Sequence, residues 1–215
     1  MPLSYSAYAA WDRCPAKYKY AYIERLPRGE PGPAVQRGND VHKSIDEFLL
    51  GQRGTLHHEI GSYKEWLASL KDHKLYPEER WAVDEQWNFV VWNSPHAVWR
   101  GVWDLLIAPD EGDDTLEIFE WKTGKIYDEH QGQSELYCVV GHCTYDIDCV
   151  RTTNVYLDQG ENIERELTAT DVKGVQLIWD ERRRKIENDD IMAPNPGFYC
   201  RWCDFSKDRG GPCQF

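Results

Sequence analysis

The feature that most constrains this chain is its C-terminal end. The last 16 residues hold three of the seven cysteines, as Cys200-x-x-Cys203 and, after nine intervening residues, Cys213, in a Pro/Gly/aromatic stretch without helical or strand period. A segment of that kind cannot bury enough apolar surface to order itself. Thiolates at this spacing order a chain by ligating a metal, and structural zinc and cubane iron–sulfur sites both take four protein ligands. A fourth ligand must therefore come from elsewhere. Cys14, followed by Pro15, is the best candidate, because Cys138 and Cys143 fall in an apolar helical stretch and Cys149 at a strand start, where a free cysteine is usually a small buried hydrophobe. An odd count in a reducing cytosol argues against a disulfide framework. Spacing alone serves zinc and an iron–sulfur cluster equally.

Composition narrows the class. At 215 residues the length suits one domain, or one domain with a small appendage, and 41% hydrophobic residues with 13% aromatics supply a core and exclude a largely disordered chain. No run of apolar residues is long enough to span a membrane. The first 14 residues lack a basic start followed by an apolar block, so no secretory signal is expected and the expected location is the cytoplasm. Against 25 Lys and Arg stand 37 Asp and Glu, a net charge of −12, which disfavours broad coating of nucleic acid or anionic lipid. A local basic groove is still available from Arg13, Lys17, Lys19, Arg25, Arg28 and the run Arg182 to Lys185.

Periodicity gives the organisation. Helices are expected over 4–13, capped by Ser4, over 16–23 after the Pro15 break, over 35–50, where Val41, Ile45, Phe48 and Leu49 share a face, and over 62–71. Residues 27–33, with three Pro and two Gly, form a loop. The period then changes to two, with strands over 81–92, 98–108 and 115–122 that form an antiparallel meander turning at 109–114. A helix over 130–143, strands over 149–157 and 162–167, and a helix over 170–188 complete the chain. The expected class is α/β, with a core order of helix, three strands, helix, strand.

Chemistry concentrates in the third strand. In Leu116 to Lys122, alternation puts Leu116, Ile118, Glu120 and Lys122 on one face, so a carboxylate and an ammonium stand roughly 6.6 Å apart at the end of an otherwise apolar face. Each loses hydration there unless something uses it, and a divalent cation beside Glu120 with a phosphate beside Lys122 would do so. The bland alternative is a cross-strand ion pair. Asp104, a lone acid in the apolar run 102–107 of the preceding strand, can pair with Glu120 as oxygen ligands for Mg²⁺ or Mn²⁺. His42 offers an imidazole from the earlier helix, and Gln133 and Tyr137, four apart on one helical face, offer polar groups for a phosphate or base.

Together, Gly38-x-x-x-His42, Gly101-x-x-Asp104, Glu120-x-Lys122-Thr123-Gly124 and Gln133-x-x-x-Tyr137, enclosed by Cys14 and Cys200-x-x-Cys203…Cys213, resemble the RecB-like branch of the PD-(D/E)XK nuclease superfamily. Within it the set is most similar to small iron–sulfur exonucleases associated with CRISPR systems and to nuclease domains of the AddB type. The opening Leu3-Ser4-Tyr5-Ser6, Cys14-Pro15 and Tyr18 also resemble that branch, and the likeness runs from Leu3 to Cys213.

The resemblance implies a single nuclease domain over 1–215, with 1–25 and 195–215 forming an iron–sulfur clip that joins the chain ends. It implies His42, Asp104 and Glu120 as ligands of Mg²⁺ or Mn²⁺, with the Trp121 carbonyl as a fourth contact, and Asp104, Glu120 and Lys122 as the catalytic set. Gln133 and Tyr137 would position substrate, and Cys14, Cys200, Cys203 and Cys213 would hold a [4Fe-4S] cluster. The implied activity is metal-dependent DNA exonuclease action on single-stranded ends, in a bacteriophage or CRISPR setting. The competing reading is a non-catalytic nucleic-acid-binding or scaffold subunit of a recombination or spacer-acquisition complex. A zinc-stabilised interaction protein would leave His42, Asp104, Glu120 and Lys122 unexplained. The remaining signals are structural: His57 and His58 as surface loop, Trp87, Trp92, Trp99 and Trp103 as strand packing, and 181–187 as a solvated helix face.

Overall fold

The computed structural model describes residues 1–215, which divide into two compact units. The first comprises Met1–Pro2 and Gly32–Leu177, the second Leu3–Pro31 and Ile178–Phe215. Its helices are α1 (Tyr5–Arg13), α2 (Pro15–Tyr18), α3 (Pro33–Leu49), α4 (Lys64–Leu70), α5 (Glu129–Thr144) and α6 (Val172–Glu187). Five strands, β1 (Leu75–Val83), β2 (Trp99–Ile107), β3 (Thr115–Lys122), β4 (Cys149–Tyr156) and β5 (Glu161–Thr168), form one sheet in sequential order. Strands β1, β2 and β3 make the expected antiparallel meander, α5 returns the chain so that β4 lies parallel to β3, and β5 closes the sheet antiparallel. The class is α/β with a mixed sheet, and no helix is long and apolar enough to cross a membrane.

In the first unit both faces of the sheet carry apolar cover. Val41, Ile45 and Phe48 of α3 and Leu67 and Leu70 of α4 pack with Leu105, Phe119, Trp121 and Val155. The alternate residues of β3, Leu116 and Ile118, are wholly buried, and α5 lies so close above them that a Cβ on Gly141 would stand 2.8 Å from Val150 Cγ1 and 3.2 Å from Leu116 Cδ2. Residue choice and layer spacing are thus one fact.

Three elements depart from the sequence expectation. The first strand runs Leu75–Val83 rather than 81–92, because Pro77 is tolerated on the edge strand of a sheet, where its missing N–H is not needed by a second neighbour. The chain then leaves the sheet at Asp84, whose Oδ1 accepts the N–H groups of Gln86 and Asn88, with Trp87 at φ +63. Trp87 and Trp92 therefore belong to turns, and Trp92 lies between Arg80 and Arg100, whose guanidinium carbons stand 5.4 and 4.9 Å from its ring centre. The piece expected over 16–23 splits into α2 and a π-helical turn at Lys19–Ile23, and that over 62–71 into a 3₁₀ stretch at His58–Tyr63 followed by α4.

The second unit has its own aromatic centre. Ser4 caps α1 by accepting the Ala7 N–H at 3.2 Å, and Tyr5 and Tyr8 make edge-to-face contacts with buried Trp179, 6.1 and 5.2 Å between ring centres. Arg182 lies 4.3 Å over the same Trp179 ring, and Trp11 Nε1 donates to Asp189 at 2.8 Å.

Gly101, part of the Gly-x-x-Asp signature, owes its identity to packing, since a Cβ there would stand 2.5 Å from Trp81 Cζ2. Thermal unfolding should accordingly show Gly101→Ala destabilised by about 1–3 kcal/mol through overpacking. Gly174 in α6 has open space around it, and Gly174→Ala should instead stabilise by about 0.5–1 kcal/mol. Equal behaviour of the two variants would contradict the packing account.

Candidate active site

The hairpin register sets the site. Leu105 pairs with Phe119 and Leu106 with Ile118, which puts Asp104 opposite Glu120, but the ladder stops one residue short of them. Asp104 Oδ2 takes the Trp121 N–H itself, at 2.7 Å, and holds the end of β3 through a side chain where backbone pairing gives way. From α3, His42 Nδ1 approaches the same Asp104 oxygen to 3.5 Å. Burial lowers the proton affinity of His42, but the hydrogen bond to Asp104 and the charges of Asp104 and Glu120 outweigh it and raise the pKa above the usual imidazole value.

Glu120 is 8% exposed, and its two oxygens live differently. Oε1 accepts from Lys122 Nζ at 3.0 Å and from Gln133 Nε2 at 2.9 Å, whereas Oε2 is buried with no hydrogen-bond partner. Burial, then the Asp104 charge, raises its carboxyl pKa against the opposing pull of Lys122 and His42. A buried carboxylate oxygen without a donor costs free energy that a bound cation would recover. The donor set, two carboxylates and an imidazole, fits Mg²⁺ or Mn²⁺ chemistry. No three His, Cys, Asp or Glu side chains converge closely enough here to chelate one ion.

Helix α5 supplies the remaining contacts. Gln133 Oε1 accepts from Lys122 Nζ at 2.7 Å and Gln133 Nε2 also donates to Tyr137 Oη at 2.9 Å, so one amide holds both Glu120 and Lys122. Tyr137 is buried, and its hydroxyl donates to the Val102 carbonyl at 3.0 Å. His42, Asp104, Glu120, Lys122, Gln133 and Tyr137 thus come together, with Tyr137 behind Gln133. The Trp121 ring lies in the core with Phe119.

Sequence reasoning missed several neighbours. Arg37, one turn before His42 on α3, reaches Asp158 through two bonds of 3.0 and 2.6 Å and also pairs with Glu59. Asp158 in turn accepts the Gly124 N–H at 2.7 Å, which ties the loop after Lys122 to α3. A Cβ on Gly38 would stand 3.2 Å from Thr123 Oγ1 in that loop, a reason for glycine at that place in the signature. Glu78 falls at the one gap in the β1–β2 pairing, opposite Asp104, with φ +53 and a carboxyl pKa raised first by burial and then by Asp104. His130 precedes Gln133 by three residues on α5, a spacing that could have revealed it.

In the second unit one cavity is lined by Cys14, Cys200, Cys203 and Cys213, with Tyr20, Tyr199 and Phe205 among its walls. Cys14 Sγ accepts the Asn195 N–H and Cys200 Sγ the Gly197 N–H, each at 3.4 Å. The other three cysteines lie elsewhere, and burial raises the Cys138 and Cys143 thiols to about 11. His58 is exposed and His57 caps the 3₁₀ stretch by accepting the Glu59 N–H, so neither joins a site.

No curated protein sequence matches the chain. Among solved structures, SSO0001 is similar with a TM-score of 0.50 at 15% identity, over 95% of this chain and 83% of that one. A protein of Eubacterium rectale whose name assigns it, by inference, an exonuclease activity is similar with a TM-score of 0.52 at 11% identity, over 94% of this chain and 86% of that one. At such identities the likeness is one of fold. The sequence profile of the PD-(D/E)XK nuclease superfamily, however, matches residues 2–207, and it does so across the strands that carry Asp104, Glu120 and Lys122. The chain belongs to the PD-(D/E)XK nuclease superfamily.

Proposed function

We propose that this protein is a divalent-metal-dependent DNA exonuclease of the RecB-like branch, acting on single-stranded ends and stabilised by a [4Fe-4S] cluster. The observation that carries the catalytic part is the unpartnered, buried Oε2 of Glu120 beside Asp104, His42 and Lys122. His42, Asp104 and Glu120, with the Trp121 carbonyl, would have to draw closer together than they stand here to hold one Mg²⁺ or Mn²⁺, whose Lewis acidity would draw off charge that develops on the scissile phosphate. Lys122, held by Glu120 and Gln133, presents a fixed positive charge to that phosphate and orients the attacking water. Tyr137 fixes the Gln133 amide, and Gln133 keeps Glu120 and Lys122 in mutual reach.

The nuclease family to which the chain belongs supports DNA as the substrate. The first unit carries 13 Lys and Arg against 27 Asp and Glu, the second 12 against 10, so the acidity of the chain resides in the unit with the carboxylate site. The basic residues singled out for a groove, from Arg13 to Arg28 and Arg182 to Lys185, lie in the second unit, but Arg183 is buried and paired with Glu187, and Lys19 and Lys185 pair with Glu24 and Glu181. The intact Glu120–Lys122 pair favours a working nuclease over a scaffold subunit.

Cys14, Cys200, Cys203 and Cys213 line one cavity and so offer four thiolate ligands, the number that a structural zinc ion and a cubane both take, and the resemblance to iron–sulfur nucleases is what names the cluster.

Two experiments test the proposal. End-labelled and circular DNAs incubated with Mn²⁺ or Mg²⁺ should be cut only where an end is free and not at all with chelator. Asp104→Ala, Glu120→Ala and Lys122→Ala should each slow cleavage by about 10²-fold or more. His42→Ala should act more mildly, and because protons compete with the metal at the raised Glu120 carboxyl, more Mn²⁺ should be needed as pH falls below neutral. Near-normal cleavage by any two of the three variants removes the assignment. Separately, protein purified without oxygen should be brown and contain iron and sulfide, and alanine at Cys14, Cys200, Cys203 or Cys213 should bleach it while alanine at Cys138, Cys143 or Cys149 should not. Colourless protein with one equivalent of zinc would replace the cluster by a single ion.

A further inference from the structure

Beside Lys122 runs a short ladder of rings that the proposed chemistry leaves unused. Lys122 pairs across the parallel strands with Tyr156, whose side chain is wholly buried. His130, in the first turn of α5, stacks on Tyr156 with ring centres 5.7 Å apart and planes 27° from parallel, and its Nδ1 lies 2.9 Å from Tyr156 Oη. The Tyr127 and His130 rings meet nearly at right angles, 5.6 Å apart and 86° between planes, and the His130 N–H donates to the Tyr127 carbonyl at 3.1 Å, which fixes the two relative to each other. The ladder thus climbs from the buried strand position next to Lys122 to a tyrosine that is 52% exposed. Its middle ring carries no charge at neutral pH, since burial, and then the Lys122 charge, bring the His130 pKa down to about 4 against a weaker pull from Glu129.

A singly exposed ring is ordinary at a protein surface, and what sets Tyr127 apart is the backing of His130 and Tyr156 that holds it in place. The neighbouring exposed carboxylates, Asp128 and Glu129, repel a phosphate at this place but are indifferent to a neutral π-face. Bases of an unpaired strand offer such faces, and stacking on aromatic side chains is how single-stranded DNA is held without regard to sequence. In a duplex the same faces are already stacked on one another and out of reach. We propose that Tyr127, backed by His130 and Tyr156, is a base-stacking subsite for an unpaired nucleotide of the DNA strand whose phosphate reaches Lys122. The inference rests on the nuclease reading for the placement of that phosphate, and it supplies a physical reason for a single-strand preference that the carboxylate site does not provide.

The test separates the subsite from the activity. Fluorescein-labelled oligothymidylate, and a strand of equal length made of abasic residues, are bound in chelator by wild type, Tyr127→Ala and Tyr127→Phe, and cleavage of the same strands is followed with Mn²⁺. Tyr127→Ala should weaken binding of oligothymidylate roughly five- to a hundred-fold, the range that stacking of one base commands. Tyr127→Phe should restore it, and the abasic strand should bind all three proteins alike. Tyr127 stands at the surface, so its alanine variant should fold as wild type does, and unchanged unfolding midpoints check that. If Tyr127→Ala binds both strands as wild type does, loses the abasic strand equally, or if wild type shows no preference for the strand with bases, the subsite is overturned. A wild type that binds through Tyr127 but never cleaves would leave the subsite standing and remove the nuclease activity.

Discussion

The structure of the first unit turns on one buried carboxylate. Glu120 sits near the end of β3 with one oxygen shared between Lys122 and Gln133 and the other without a donor. Removing such a group from water is expensive, and the expense explains the company around it. Lys122 and Gln133 satisfy the first oxygen, Tyr137 orients Gln133, and the docking of α5 on β3 and β4 brings Gln133 and Tyr137 to bear. Only the second oxygen remains uncompensated, and it faces the same question as the Asp104–Glu120 repulsion, to which the proposed cation would be the common answer. A local cost maintained by a well-packed surround is what a functional site looks like.

Much of this was legible in the sequence. The β3 pattern, apolar residues alternating up to Glu120 and Lys122, predicted a strand within which two charges share the buried face, and the meander, the crossover helix and the fourth strand came out in order because each has strong periodicity. The placement of β1 was not legible. Pro77, with charged Glu78, Glu79 and Arg80, reads as a loop by local propensity, and only the knowledge that this strand lies at a sheet edge, with one side free of pairing, makes the segment a strand. The run after it, rich in Trp and Val, reads as a strand but is diverted by Asp84, whose carboxylate gathers the backbone donors of the turn.

The candidate site divides along the same line. Residues within one element, such as Glu120 with Lys122 or Gln133 with Tyr137, follow from period alone. Residues joined by the fold, such as Asp158 with Arg37 and with Gly124, are 121 and 34 positions apart and carry no local signal. Glu78 was hidden for another reason, since its relation to Asp104 depends on a register that the misplaced strand obscured. The cysteines were legible as a set because a tail without period must be fixed by something, and the cavity they line lies in a unit built from both chain ends.

The central claim is that Glu120 is incomplete without a cation, and thermal unfolding of wild type and Glu120→Gln, each with Mn²⁺ and with chelator, tests it most directly. Glutamine keeps the shape of the side chain but removes the charge that would hold the metal. A ligand that binds only the folded state raises its unfolding midpoint. The account predicts that Mn²⁺ raises the midpoint of wild type in a concentration-dependent way and that this shift is lost in Glu120→Gln. An equal shift in both proteins, or none in wild type, would contradict it.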